Sequence, residues 1–283
     1  MPDIVNYQVY NDRMRRSMWD KAFFMDKVAG AEVIIDYGCA DGSLVRFLSA
    51  LFPSMRFIGF DIDPAMVEAA NANRGKNTFF FSTMGEVRDQ LKRMQVRGSQ
   101  CAVIFSSVFH EVFHYGYDLS KIRDFLSAIS PQYLVVRDML YDSADDNAIL
   151  SKEAERRVRE KVAAGQIQSF EEQYGSIRAQ RNLIHFLLKY QYTENWDREC
   201  AENYFSCTLE KLLRVLDPAG QYRRILFHQY VLPWFRHTVE TEFNIDLGEG
   251  FTTHFSMILS KAPENKMIPI QEGDAIDEAS IQR

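Results

Sequence analysis

Val33 to Leu48 reads VIIDYGCADGSLVRFL. The β-branched run Val33-Ile34-Ile35 ends at Asp36, a loop carries Gly38, Cys39, Ala40 and Gly42, and Leu44, Phe47 and Leu48 follow at helical spacing. That order is strand, small-residue loop, helix. Side chains this small let a ligand lie against the backbone, and the N–H groups of the first helical turn stay free to donate to it. A dinucleotide-binding loop requires Gly-x-Gly-x-x-Gly, so that a second glycine admits the pyrophosphate. Here Ala40 stands between Gly38 and Gly42, and that pattern fails.

The same unit recurs along the chain. Met55 to Asp63 runs from apolar residues into two acids, Asp61 and Asp63, and Pro64 sits where a first helical turn tolerates it, ahead of Met66, Val67, Ala69 and Ala70. Thr78 to Phe81, Ala102 to Phe105 and Tyr133 to Val136 read as further strands, separated by helices at Val87 to Met94 and Ile122 to Ile129. Strands alternating with helices in this way predict a parallel, doubly wound sheet. Strand character then stops until Arg224 to Leu232 and Thr253 to Ser260, whose short connection suits an antiparallel pair.

Between these halves the helical patterns at Leu150 to Ala164, Phe170 to Leu188 and Glu199 to Leu216 exceed what one crossover helix requires. The expected organisation is an N-terminal helical segment over 1–29, a core made of 30–141 and 222–261, a helical cap over 142–221, and a disordered acidic tail over 262–283. An amphipathic helix is expected over 7–28, with Met14, Met18, Ala22, Met25 and Val28 inward; Arg13, Arg15, Arg16 and Lys21 either face an acidic ligand or lie on a solvated face, and the solvated face is the preferred reading.

The 283 residues are 46% hydrophobic and 25% charged, enough apolar content for a sizeable core. A formal charge of −6, from 33 basic and 39 acidic residues, disfavours broad binding to nucleic-acid phosphates. The four cysteines form no CxxC pair, the first residues lack an apolar leader, and no stretch is apolar enough for a membrane span. A reducing, cytoplasmic setting with no membrane partner is expected.

The pattern of Val33–Gly42 followed by Ile58-Gly59-Phe60-Asp61-Ile62-Asp63 resembles motifs I and II of the class I S-adenosylmethionine-dependent methyltransferases. The resemblance covers about 30 to 140 and 222 to 261 and implies a seven-stranded, mostly parallel sheet with an antiparallel last strand. It implies that Asp36, Gly38, Cys39, Ala40 and Gly42 frame the methionine moiety of the cofactor, that Asp61 holds the ribose, and that Ile62 meets the adenine. Met84 falls in the segment that lines the adenine in such enzymes, although Ser82 occupies the place where they often carry an acid. Ser106 and Ser107 fall at the fourth-strand exit, beside the transferred methyl. Independently of any family, an ionised carboxylate only accepts hydrogen bonds and so suits two vicinal hydroxyls at Asp61.

His110-Glu111-Val112-Phe113-His114 spells HExxH, which on a zinc-peptidase helix supplies two imidazoles and a general base. Its place, just past a parallel strand, lies instead on the rim of the expected cofactor site, and no metal is expected. One reading gives His110 or Glu111 the task of removing or orienting an acceptor proton; the other has the histidine pack or cap a helix. Arg137, at the end of the fifth strand, either pins an acidic substrate group or joins Asp138 in a structural ion network.

The expected activity is methyl transfer to oxygen or nitrogen of a small-molecule acceptor beneath the cap. Leu187, Leu188, Tyr190 and Trp196 would pack on the core, and Tyr192, Glu194, Asn195 and Arg198 would line the pocket mouth. The alternatives are an RNA or nucleotide methyltransferase, using the cap residues Arg156, Arg157, Arg159, Lys161, Arg178 and Arg181, and a non-catalytic cofactor-binding protein. DNA is not expected as a partner, because neither an Asp/Asn-Pro-Pro-Tyr/Phe clamp nor a Pro-Cys nucleophile occurs at the fourth strand.

Overall fold

The computed structural model describes residues 17–143, 149, 151–247 and 249–262. A short helix, α1 (Met18–Lys21), precedes the repeating units β1 (Val33–Tyr37), α2 (Ser43–Leu51), β2 (Arg56–Phe60), α3 (Pro64–Ala72), β3 (Thr78–Phe81), α4 (Met84–Arg93) and β4 (Cys101–Ser106). Next come α5 (Phe109–Tyr115), α6 (Leu119–Ile129) and β5 (Tyr133–Ser143). Five helices follow before the sheet resumes: α7 (Lys152–Lys161), α8 (Ala164–Tyr174), α9 (Gln180–Leu187), α10 (Trp196–Ala201) and α11 (Leu209–Leu216). The described chain closes with β6 (Tyr222–Tyr230), α12 (Pro233–Phe243) and β7 (Phe251–Lys261).

The seven strands lie in the order β3-β2-β1-β4-β5-β7-β6, with β7 antiparallel to both of its neighbours and the other pairings parallel. Strand β1 is an interior strand beside the central β4, with Val33 paired to Arg56 on one side and to Cys101 on the other. The chain order reverses between β1 and β4, and the carboxyl ends of these strands open the crevice where ligands bind in such sheets. Every residue of β1 is buried, which accounts for its unbroken apolar run, since helices cover both faces of a parallel sheet.

One core layer joins Val33, Ile35, Val103 and Phe105 to α5, α6 and α11. On the other face Ile34, Ile104 and Phe57 pack with Met18, Phe24, Leu44 and Val67. A third cluster ties α7 to α10 to α12 and to the ends of β5 and β7, through Val158, Phe170, Phe186, Met139 and Phe251. Leu187 and Leu188 are buried in that cluster, with Tyr190 and Trp196 partly buried against it.

Four expectations change. Within the described residues the first helix covers only Met18–Lys21, and three-residue turns take over from Ala22, carrying Phe24 and Val28 into the core. Residues 7–16 of that expected helix lie outside the described residues, as does the expected tail from residue 263. Lys21, expected on a solvated face, is buried. The three helical patterns expected after the fifth strand form five helices, with Val162 and Ala163 extended between the first two and Gly175 at φ +87° after the second. Strand β5 runs seven residues past Val136, because Arg137 to Ser143 keep pairing with β7 despite their polar members. No described helix is long and apolar enough to cross a membrane.

Candidate functional site

At the end of β1 the chain folds back on itself. The Gly38 and Cys39 amides donate to the Phe60 carbonyl at 2.8 and 3.0 Å, and the Gly42 amide to the Cys39 carbonyl at 2.9 Å. Gly38 and Gly42 take φ of +80° and +74°. A Cβ on Gly38 would stand 2.7 Å from Val108 Cγ2, and one on Gly42 would stand 2.5 Å from the Phe80 ring. Neither place admits another residue without movement. Ala40, also left-handed at +46°, presents its amide to Asp61 Oδ2 at 2.8 Å. Asp61 Oδ1 accepts the Asp63 amide at 3.0 Å, so both loops close on one carboxylate. Burial raises the pKa of that carboxyl, against the pull of the two amides.

These loops wall a cavity of about 510 Å³. Asp36, Gly38, Cys39, Ala40, Asp61, Ile62, Ser106, Ser107 and Glu111 all border it. Gly42, Met84, His110 and Arg137 do not. Gly42 instead caps α2 beneath Phe80, and Met84 opens α4 behind the Thr83–Glu86 capping box and packs on the core. Ile62 is 64% exposed, an apolar face presented beside Asp61.

Lys21 borders the cavity beside Asp36, and neither side chain makes a hydrogen bond or ion pair among the described residues. Burial pushes the Asp36 carboxyl up to about 7, against the nearby Lys21 ammonium and with help from Asp61. Burial likewise lowers Lys21 to about 8; Arg137 adds to that, and Asp36, Asp20 and Asp138 oppose it. The result is a desolvated positive charge and a desolvated negative charge facing one space.

At the other end, Ser107 has φ +60°, donates its amide to the Arg137 carbonyl at 2.8 Å, and accepts from Arg137 Nη1 at 3.0 Å. Arg137 is buried; its Nε meets Asp20 Oδ2 at 2.7 Å, and that oxygen also accepts the Tyr230 hydroxyl at 2.9 Å. The guanidinium belongs to an internal network whose acid is Asp20 rather than the adjacent Asp138, and Arg137 does not border the cavity.

His110 is not placed to act as a base. It is buried, with Nδ1 2.6 Å from Asp138 Oδ1 and Nε2 3.0 Å from Glu202 Oε1. Burial works against charge on the imidazole, but Asp138 and Glu202 outweigh it and hold the group well above its ordinary pKa. An imidazolium with both nitrogens engaged has no lone pair for an acceptor proton. Asp138 is held in turn by the Val108, Phe109 and Met139 amides at 3.0, 2.6 and 2.7 Å.

Glu111 does reach the cavity. Burial, with Glu202 next, raises its carboxyl to about 7, and His110 and Arg198 oppose the rise. Arg198 Nη2 lies 3.1 Å from Glu111 Oε1, which brings α10 of the helical insertion to the cavity wall. Of the four residues expected at the pocket mouth, Arg198 alone borders the cavity; Asn195 is buried, and Tyr192 and Glu194 lie elsewhere.

Sequence reasoning missed Asp138 as the partner of His110, and Glu202, and preferred a solvated face for Lys21. Lys21 stands three residues after Met18, on the inward face of its helix, and that spacing was the available signal. Glu202 has none, being 92 residues from His110 in the chain.

Residues 34–130 match the family model described as "Methyltransferase domain". No curated protein matches the chain. Among solved structures, the chain is similar to an S-adenosylmethionine-dependent methyltransferase from Anabaena variabilis, at 16% identity and TM-score 0.47, over 88% of this chain and 85% of that one. It is similar to one from Archaeoglobus fulgidus at 13% identity and TM-score 0.49, over 90% and 99% of the two chains. Human N-acetylserotonin methyltransferase aligns at 14% identity and TM-score 0.46, over 90% of this chain and 55% of that one.

Proposed function

We infer that this chain, whose residues 34–130 match the methyltransferase-domain model, transfers a methyl group from S-adenosylmethionine to an oxygen or nitrogen of a small-molecule acceptor. The observation that carries the reading is a single cavity holding Asp61 at one side and the uncompensated pair Lys21 and Asp36 on its floor. Its volume of about 510 Å³ falls within the range of small-ligand sites.

Each Asp61 oxygen accepts one amide and keeps a lone pair, so the carboxylate retains capacity for both ribose hydroxyls. Ile62 offers its exposed apolar face to the adenine. The amino acid end of the cofactor is a zwitterion, and Lys21 and Asp36 supply its complement, ammonium for the carboxylate and carboxylate for the ammonium. Binding then pairs two charges that burial leaves unpaired, which favours the loaded state. Gly38, Cys39 and Ala40 form the backbone wall beside this end.

The sulfonium methyl would then face Ser106 and Ser107, with Glu111 and Arg198 beyond it. Methyl transfer is an in-line displacement at carbon, so alignment of acceptor and donor provides most of the acceleration. Glu111, fixed by Arg198, is the side chain on this wall able to orient an acceptor O–H or N–H. The helical insertion over 142–221 serves as the lid that selects the acceptor. Four of its arginines are paired with acids, Arg156 with Glu153 and Glu160, Arg157 with Glu153, Arg159 with Glu155 and Glu171, and Arg178 with Glu155, while Arg181 and Lys161 donate to the Phe205 and Glu242 carbonyls. That pairing favours a small molecule over RNA.

Calorimetry with S-adenosylmethionine, comparing the wild type with Asp61→Ala, tests the cofactor site; equal affinities would sink it. Labelled methyl transfer into a cell extract, separated into small molecules, RNA and protein, tests the acceptor. Label confined to RNA would overturn the small-molecule reading, and cofactor binding with no label in any fraction would leave a sensor rather than an enzyme.

A further inference from the structure

We propose that His110, Glu111 and Glu202 bind one divalent first-row cation of the Mn²⁺ type at the acceptor end of the cavity. One ring nitrogen of His110 and one carboxylate oxygen of each glutamate lie within 4.8 Å of one another. The site stands on these residues alone; only its use in catalysis rests on the methyl-transfer reading above.

The imidazole is already oriented as metal-binding histidines are. Nδ1 meets Asp138 Oδ1 at 2.6 Å, and Asp138 is fixed by three backbone amides, so Nε2 is aimed at Glu202. A carboxylate behind the ring fixes tautomer and direction, and raises the basicity of the nitrogen that meets the metal.

Glu202 Oε1 supplies the second, independent observation. The residue is 2% exposed, and this oxygen is 3.0 Å from Nε2 yet outside hydrogen-bond geometry, with no other hydrogen-bond donor on it. Two neighbouring ligands about 2.1 Å from one octahedral ion stand roughly 3.0 Å apart. The separation therefore suits ligands sharing an ion as well as it suits an ion pair.

The surroundings hold the cluster in place. Arg198 is engaged with Glu111 Oε1 at 3.1 Å. Lys189 donates to the Glu202 carbonyl and lies 4.4 Å from the centre of the Tyr204 ring, and Glu199 accepts the Tyr204 hydroxyl.

His114 is not a member of the cluster, so the arrangement differs from the zinc-peptidase one that the HExxH spelling describes. One imidazole and two carboxylates suit Mn²⁺ or Zn²⁺ better than an all-oxygen magnesium site. Glu111 borders the cavity with its side chain 27% exposed, so the ion's remaining positions would face the acceptor. An acceptor that presents a hydroxyl or carboxylate oxygen is the class such an ion would seat.

The test is titration of the full chain with Mn²⁺, following the free ion by electron paramagnetic resonance. One ion per chain is expected, with affinity lowered at least tenfold in Glu202→Gln and in Asp138→Asn. Variants that still bind S-adenosylhomocysteine are folded. In the wild type alone, bound Mn²⁺ should broaden the NMR lines of bound S-adenosylhomocysteine, a readout that needs no variant. Absence of saturable binding at millimolar Mn²⁺ would overturn the site and leave a closed ion-pair network, as would affinities equal to wild type in both folded variants. Failure of S-adenosylhomocysteine to bind would count against the cofactor reading, while the ion stoichiometry would still decide the cation site.

Discussion

The Asp61 carboxylate accepts the Ala40 amide at 2.8 Å, tying the tip of the first loop to the end of the second strand. In Asp61→Ala this amide and that of Asp63 lose their acceptor, and the ribose hydroxyls lose theirs. Leaving such groups unsatisfied costs about 1–3 kcal/mol. The expected outcome is a fall of roughly tenfold or more in affinity for S-adenosylhomocysteine by calorimetry.

Lys21 and Asp36 provide a sharper discrimination, because they are assigned to the amino acid end of the cofactor alone. Lys21→Met is expected to weaken S-adenosylhomocysteine by about tenfold, the scale of one charged hydrogen bond. 5′-Methylthioadenosine, which lacks the amino acid, should bind both proteins equally. Equal losses for the two ligands would mean that the substitution disturbs the cavity as a whole.

The same pair sets a pH window. Asp36 is ionised above about 7 and Lys21 stays charged below about 8, so affinity for S-adenosylhomocysteine should fall outside that interval on both sides. Asp36→Asn should abolish the acidic limb, and a profile unchanged by that substitution would refute the assignment.

Linkage gives the corresponding effect on the unloaded fold. The Asp36 pKa is raised from 3.8 to about 7, so its stabilising contribution is complete below the lower value and is lost as pH rises to the higher one. The Lys21 pKa is depressed from 10.5 to about 8, so its contribution is present above the former and lost as pH falls to the latter. Near pH 7.5 the empty protein therefore bears both costs. Asp36→Asn should raise the urea midpoint there and leave it little changed near pH 4.

Gly42→Ala tests the loop rather than the chemistry. A left-handed backbone costs a non-glycine residue about 1–2 kcal/mol, and the new Cβ would meet the Phe80 ring at 2.5 Å. A loss of about 2 kcal/mol or more is expected from denaturant unfolding. A change within a few tenths would show that Phe80 moves aside freely.

The order of strands, the first loop and Asp61 were all legible in the sequence, because each follows from short-range patterns. These are a period of two residues, a glycine where φ is positive, and an acid where a strand stops. The boundaries of β3, Thr78 to Phe81, could be read directly. Lys21 was misread because amphipathic patterning sends every charge outward, whereas the cavity gives this one a polar destination inside. His110 was expected on the rim, but it lies behind the cavity wall, held there by Asp138 and Glu202 from distant parts of the chain. The full length of β5 was hidden for a related reason: Arg137 and Asp138 interrupt its apolar run, yet their backbones keep pairing with Ser256 and Phe255 of β7.

Those two adjacent residues have a mechanical consequence. Side chains alternate along a strand, so Arg137 fastens Asp20 and Ser107 while Asp138 fastens His110 and the turn ahead of α5. Two stretches of the cavity wall, at Ser107 and at the turn ahead of α5, thus hang from one point, like two leaves on a single hinge pin. Inserting or deleting one residue in β5 ahead of Arg137 would turn each side chain to the opposite face and release both leaves at once.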